Sequence, residues 1–440
     1  MVLLKSALSL AANATTFCSI VANHHMMMTG QLVVYCSVAA ALLRGGPRIA
    51  KAPRRRARAK AGAALSADGD AHAITVVDAA AIVGGSAVGG GFLAVPAIAR
   101  DVGLRPAALG LTGAWAFFAL AALGYVEAAG GAMAAGPLEG EDAAASIRAV
   151  SRRIFGPVVS RAATATFAVQ LLAILAANLS LVRAPWTAAA ALGAFVAFAP
   201  AAIVARANTL CTAATICGFV GLSALSLAAG GTPIRTPARW VKLLPRRGWA
   251  VPLVANTMRF GEAVPVVVGK FGSRRLPEAR AAVLLGSLMP LALALLYAAA
   301  SARAPTGAPS AALRGATGLA AAGAVASTVL GCLMAVGQLL RRQDGGESGP
   351  WRSLAAAGAV ALPAGVAAGA GRDAYLLLLR FAGAIPTVVL YGLLPPLAAL
   401  HTRRTAAPRA DVVPAAALAA VAAGALGVLA VNLSHLVVVC

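Results

Sequence analysis

Long apolar runs alternate along the chain with short intervals rich in Arg, Pro and Gly. About 20 apolar residues, rising about 1.5 Å each, cross the hydrocarbon core of a bilayer as a helix. Eleven such segments are predicted, near 73–99, 107–129, 157–182, 185–205, 208–229, 250–270, 279–301, 314–340, 353–371, 374–399 and 411–434. Little more than Arg206-Ala207-Asn208 divides the fourth from the fifth, which predicts an antiparallel hairpin. Between the second and third, Ile147, Val150, Ile154 and Phe155 fall at near-helical spacing with Arg148, Arg152 and Arg153 on other faces. The stretch Leu138 to Phe155 reads either as an amphipathic helix on the membrane surface or as a solvated loop.

Two segments break the pattern. The first contains Gly84-Gly85-Ser86-Ala87-Val88-Gly89-Gly90-Gly91-Phe92-Leu93-Ala94-Val95-Pro96. Each interior glycine costs roughly 1 kcal/mol of helix stability relative to alanine, and proline has no amide hydrogen to donate. The sixth carries Arg259, Gly261, Glu262 and Pro265 at its centre. A charge at mid-bilayer costs about 2.5–3.5 kcal/mol on insertion scales, so it faces the bundle interior or a cavity. Arg259 and Glu262, spaced i,i+3, read either as a mutual ion pair or as groups with a direct role in substrate or proton handling. Interrupted first and sixth helices fit an inverted repeat of five plus five, with a substrate at the pseudo-twofold axis and an eleventh helix outside the repeat. The expected fold is thus an all-α polytopic membrane protein of LeuT/APC-like layout. Freed backbone groups of Gly85–Gly91 would meet a carboxylate, and groups around Phe260–Glu262 an ammonium and a side chain.

Composition agrees: 60% of the 440 residues are hydrophobic and 12% charged, with mean hydropathy +0.83. A soluble domain is nearer half apolar and a quarter charged. The formal net charge of +23 points to topology-setting loop arginines rather than to nucleic acid. Basic loop residues are more numerous on the side of the N-terminus, which predicts that this side faces the cytosol or stroma; the loop 231–249 runs against that bias. The six cysteines show no CxxC or Cys/His spacing, so no disulfide, metal or cofactor is expected. Residues 1–65 are basic, with no acid before Asp68, and their apolar run Leu32–Leu43 is too short for a comfortable span. They read as an organellar transit peptide, with a signal or anchor segment and a misplaced start codon as alternatives. The remaining residues, 66–440, form the transmembrane domain.

These motifs resemble the tryptophan/tyrosine (hydroxy/aromatic amino acid) permease family. Gly84 to Pro96 is similar to its first-helix signature GTxxGxGxLxLP, with Ser86 at the threonine position and Gly89 and Gly91 at the spaced glycines. Phe260 to Val267 resembles its aromatic-x-N-x-VPVV segment, Glu278 to Leu291 its KIRxAIxxGSxxPL segment, and Tyr391 to Leu397 its YGxLPP segment. The resemblance covers roughly 73–435. It implies secondary-active transport of amino acids, aromatic ones favoured, by alternating access and symport with protons. It also implies substrate contacts at Gly85, Ser86, Gly89, Gly91, Phe260, Gly261 and Glu262. Glu127, Glu262 and Asp78 are the coupling or gating candidates. Members with N-terminal extensions occur in plant and algal plastids, which implies the chloroplast inner envelope. Gly261 and Glu262 stand where the family often has histidine or glutamine and a neutral amide. Those departures keep an alternative open, a non-transporting structural or regulatory subunit with a degenerate site.

Other polar groups are weighed against blander roles. Gln170, Asn178 and Arg380 read as partners in hydrogen bonds between helices, and Arg380 as a possible mate of Glu262 or Glu127. Gly84–Gly91 fits a dinucleotide loop by letter only, since that motif needs a strand before it and a soluble amphipathic helix after it. No Ser/His/Asp set or metal cluster stands out, so no enzyme is expected. The expected partners are an amino acid, protons and membrane lipid.

Overall fold

A computed structural model describes residues 74–135, 146–228, 232–233, 250–304, 310–343, 360–369, 374–405 and 413–438. The expected transit peptide, the basic loop 231–249 apart from Thr232–Pro233, and the first part of Leu138–Phe155 lie outside them. The described residues are almost wholly helical. The exception is a two-residue antiparallel pairing of Thr232–Pro233 with Arg303–Ala304. Among the described residues, seven helices are long and apolar enough to cross a membrane, and a bent pair makes an eighth. Together they describe a multi-pass integral membrane protein.

The glycine-rich segment is broken where the sequence weakens it. Helix α1 (Val76–Ala87) starts in a capping box, in which Thr75 and Asp78 satisfy each other's backbone amides. It stops at Val88, whose backbone is extended, as is that of Gly89. A 3₁₀ turn, Gly90–Ala94, follows, and then α2 (Val95–Val102) begins with Pro96 in its first turn. There the missing amide hydrogen costs nothing. The two halves are bent by 49°. Gly103, at φ 93°, turns the chain into α3 (Leu104–Ala134), a conformation that only glycine adopts without strain. The short helix α4 (Ile147–Phe155), capped by Ser146, realises the amphipathic reading of the preceding loop. It leads through Gly156 into α5 (Pro157–Leu179).

The expected hairpin turn at Arg206–Asn208 is displaced. Helix α6 (Pro185–Phe198) ends at Ala199, which is extended before Pro200, and α7 (Ala201–Ala228) runs unbroken through Arg206–Asn208. Proline clashes with a helical residue before it, whereas Arg, Ala and Asn can all continue a helix. This leaves α6 too short to count as a span on its own length. The sixth segment is broken as expected, into α8 (Ala250–Thr257) and α9 (Val264–Phe271). Helix α9 restarts on Val264-Pro265, as α2 restarts on Val95-Pro96. The remaining helices are α10 (Leu276–Ser301), α11 (Ala311–Gln343), α12 (Val360–Gly369), α13 (Ala374–Ala382), α14 (Leu394–Thr405) and α15 (Ala415–Val438).

Between α13 and α14 the chain winds as a π-helix over Gly383–Leu393, where a regular helix is expected from the sequence. Pro386 cannot donate to the carbonyl of Ala382 four residues back. The Thr387 hydroxyl donates to it instead at 2.9 Å, and Gln170 Nε2 donates to that hydroxyl at 2.7 Å. Asn432 Nδ2 donates to the Ala384 carbonyl at 2.7 Å. The wide turn is thus held from α5 and α15.

The core is continuous from α1 and α2 through α3, α8, α9, α10 and the π-helix. Helix α10 packs on α1 and α3, and α7 packs on α11. Small residues permit the close approach. A Cβ on Gly84 would lie 2.9 Å from the Gly286 carbonyl oxygen, and one on Gly218 2.6 Å from Ala320 Cα.

Candidate functional site

The two breaks open onto one cavity of about 260 Å³. One wall is the interrupted stretch Gly85–Gly91. Facing it are Asn256 of α8 and the link to α9, which contributes Arg259, Glu262 and Ala263. Helix α7 adds Asn208 and Thr212, and α11 adds Ser327, Thr328 and Cys332. Among the described residues, no aromatic side chain lines the cavity.

The broken helix is fastened from several sides. Thr328 Oγ1 accepts from the Gly90 amide at 2.7 Å. The Tyr375 hydroxyl donates to the Gly90 carbonyl. The Thr257 hydroxyl donates to the Gly91 carbonyl at 3.2 Å and to Leu253 O at 2.8 Å. Phe92 anchors the 3₁₀ turn behind the cavity. It is fully buried, 5.8 Å from the Phe219 ring, which lies 4.9 Å from that of Tyr297. Asn178 is also fully buried. Its Nδ2 donates to Ile174 O at 2.8 Å, and its Oδ1 lies where a Cβ on Gly90 would fall.

On the opposite wall Arg259 Nη1 and Glu262 Oε1 are 2.8 Å apart, with side chains 12% and 25% exposed. The i,i+3 ion pair therefore forms, and it borders the cavity. A lone charge here would carry a large desolvation cost, which the opposite charge offsets.

Of the residues singled out from the sequence, Gly85, Ser86, Gly89, Gly91 and Glu262 border this cavity. The Ser86 hydroxyl donates to its own helix, at Val83 O, 2.9 Å. Phe260 is fully buried in the core and does not line the cavity. Gly261 lines a separate small hollow with Phe118, Tyr125 and Tyr391. A Cβ on Gly261 would come within 2.6 Å of the Tyr391 ring. Asp78 is exposed at the head of α1, where its carboxylate accepts from Thr75 Oγ1 at 2.7 Å. Glu127 lies outside the cavity lining, in an ion pair with Arg403 of α14. Arg403 Nη2 reaches Glu127 Oε2 at 2.6 Å and also donates to the Val413 carbonyl at 2.7 Å. Arg403 and Arg259, not Arg380, are thus the mates of Glu127 and Glu262. Gln170 bridges two helices as expected, whereas Asn178 Nδ2 bonds within its own helix.

Asn208, Asn256, Ser327 and Thr328 escape a sequence reading. Each is a common polar residue in an otherwise ordinary helical run, and no local pattern marks it. Only the packing of α7, α8 and α11 brings them to one space.

No curated protein matches the chain. Residues 73–184, which hold the first broken helix and α3 to α5, fit the model of the tryptophan/tyrosine permease family, so that part of the chain is similar to that family.

Proposed function

We propose that the protein is a secondary-active amino acid transporter that works by alternating access around the cavity between its two interrupted helices. The observation that carries this reading is that cavity. Its walls are Gly85–Gly91 on one side and Arg259–Glu262 on the other. Bundle helices broken at membrane depth are tolerated where they line such a space. The permease-family match over 73–184 favours aromatic amino acids such as tryptophan and tyrosine as cargo.

In this reading the eleven predicted segments form a five-plus-five inverted repeat with one additional helix. Glu262 is the group that couples transport to protons. Residues 1–65 direct the protein to the plastid inner envelope, and residues 66–440 are the transporter domain. Gly89 and Gly91 border the space a cargo would fill, and a larger side chain at either would intrude on it or on its walls. A Cβ on Gly89 meets Thr328 Oγ1, and one on Gly91 lies 3.3 Å from Asn256 Nδ2.

The test is uptake of radiolabelled amino acids into proteoliposomes, run over a panel of all the common ones. Saturable uptake of at least one is expected. Gly89→Leu and Gly91→Leu should each abolish it while the protein still inserts in the membrane. Normal uptake by both variants removes the cavity from the pathway. No uptake of any amino acid leaves the chain as a non-transporting membrane subunit.

A further inference from the structure

The backbone of the first broken helix and the ion pair opposite it compete for one task, which is to meet the charges of a zwitterionic cargo. The backbone groups nearest the middle of the break are already engaged. The Gly90 amide is held by Thr328, the Gly90 carbonyl by Tyr375 and the Gly91 carbonyl by Thr257. The ion pair is held less completely. Arg259 Nη1 and Glu262 Oε1 are 2.8 Å apart, yet neither atom makes a directional hydrogen bond. Charge is balanced there, while hydrogen-bonding capacity is left over. Charge-assisted hydrogen bonds are roughly twice as strong as neutral ones, so the charged ends of a cargo would find strong partners here, with the Tyr391 hydroxyl the other group that faces Glu262.

We infer that Arg259 and Glu262 are the counter-charges of the cargo, and that their ion pair opens so that Arg259 takes an α-carboxylate and Glu262 the α-ammonium of the same amino acid. This rests on the transport reading above and specifies the chemistry of that cavity.

Three features of the site support the exchange. First, both residues lie on the non-helical link 258–263, so their side chains can part without breaking a helix ladder. Secondly, the exchange preserves neutrality: one internal pair becomes two pairs with the cargo, and no buried charge is left alone at the end. Thirdly, the cavity lining brings amides and hydroxyls to the same space. Asn208 Oδ1 and Asn256 Oδ1 are buried without a hydrogen-bond partner, beside Ser327 and Thr328. They suit further donors on a cargo held by its charged end. Arg259 thereby acquires a binding role that a purely neutralising partner of Glu262 would not have.

The experiment uses the purified full chain and equilibrium binding. The probes are tryptophan, N-acetyltryptophan, which lacks the cation, and tryptophan methyl ester, which lacks the anion. If tryptophan does not bind, the amino acid ranked first by the uptake panel replaces it, with its own two derivatives. Wild type should favour the zwitterion over both derivatives. Glu262→Gln leaves Arg259 as the sole charge and should raise the affinity for the N-acetyl acid relative to the amino acid by roughly tenfold or more. Arg259→Gln should do the same for the ester, since one charge-assisted hydrogen bond has about that weight.

Equal losses for all three probes in both variants, with the preference order unchanged, would overturn the inference and reduce the pair to a structural one. If a glutamine variant gives no monodisperse protein, Arg259→Lys and Glu262→Asp keep the charges and alter their reach. Each should then weaken zwitterion binding several-fold, and wild-type affinity in both would equally overturn the proposal. Failure of wild type to bind or transport any amino acid sinks the transport reading itself. A wild type that binds, with variants that do not split the probes, sinks this inference alone.

Discussion

Gly90 shows what a single missing side chain makes possible. The cavity bordered by Gly85, Gly89 and Gly91 draws attention to those glycines, yet Gly90 is the one pressed against Asn178. A methyl there would overlap the Asn178 carboxamide. Gly90→Ala is expected to cost about 1–3 kcal/mol, the usual scale of overpacking, read as a lowered Tm of the detergent-purified protein. Adding Asn178→Ala should recover part of the loss, so the double variant is less destabilised than the sum of the singles. Strict additivity would mean that the two do not compete for one space. Glu262 supports a second expectation at this scale. If a proton and the cargo's ammonium exchange on Glu262 during the transport cycle, uptake by wild type depends on the pH of the outer solution. Glu262→Gln should flatten that dependence, and an unchanged pH profile of uptake would remove Glu262 from coupling.

At the scale of elements, the chain repeats one device. Each break contains glycine, Gly89 in the first and Gly261 in the second, and the helix restarts on Val-Pro, at Val95-Pro96 and Val264-Pro265. Proline suits the first turn because its amide has no intrahelical partner to lose. The π-helix over Gly383–Leu393 uses proline differently, inside the element. Its stability depends on Thr387, which fills the place of the missing donor and receives Gln170 in turn. Thr387→Val would strand the buried Gln170 amide and remove the hydroxyl's own bond to the Ala382 carbonyl. It should cost about 1–3 kcal/mol, the penalty for an unpaired buried polar group, measured by thermal or denaturant unfolding. Gln170→Leu in the same chain should return part of it. A Thr387→Val variant as stable as wild type would mean that the π-turn needs no such support.

Across the whole molecule, the Glu127–Arg403 pair joins α3 to α14 and, through the Val413 carbonyl, to the start of α15. Its side chains are 14% and 13% exposed. Removing one member leaves the other charge buried, so Glu127→Leu alone should destabilise by about 3–5 kcal/mol. The double change Glu127→Leu with Arg403→Leu should come much closer to wild type. Unfolding in detergent checks this, and equal losses in the single and double variants would show that the pair acts only through packing.

Composition and run length alone determined that this is a helical membrane protein, because unbroken apolar runs of about 20 residues cross a bilayer as helices that satisfy their own backbone, whereas barrel strands are shorter and alternate. Local chemistry also determined both helix breaks, since glycine and proline act on their own backbone. The pairing of Arg259 with Glu262 was legible for the same reason: i,i+3 neighbours meet on any helix-like turn. Tertiary structure decided the rest. Pro200 rather than Arg206–Asn208 ends the fourth segment, a competition that hydropathy does not register. Glu127 met Arg403 because α3 and α14 pack together, and Arg380, equally suitable by type, lies toward the other end of the same continuous helical span. Asn208, Thr328 and Asn256 became cavity residues only when three distant helices closed on one space. A chain's own backbone preferences are written residue by residue, whereas the partner of a long-range side chain depends on which helices share a face, and hydrophobicity alone does not encode that.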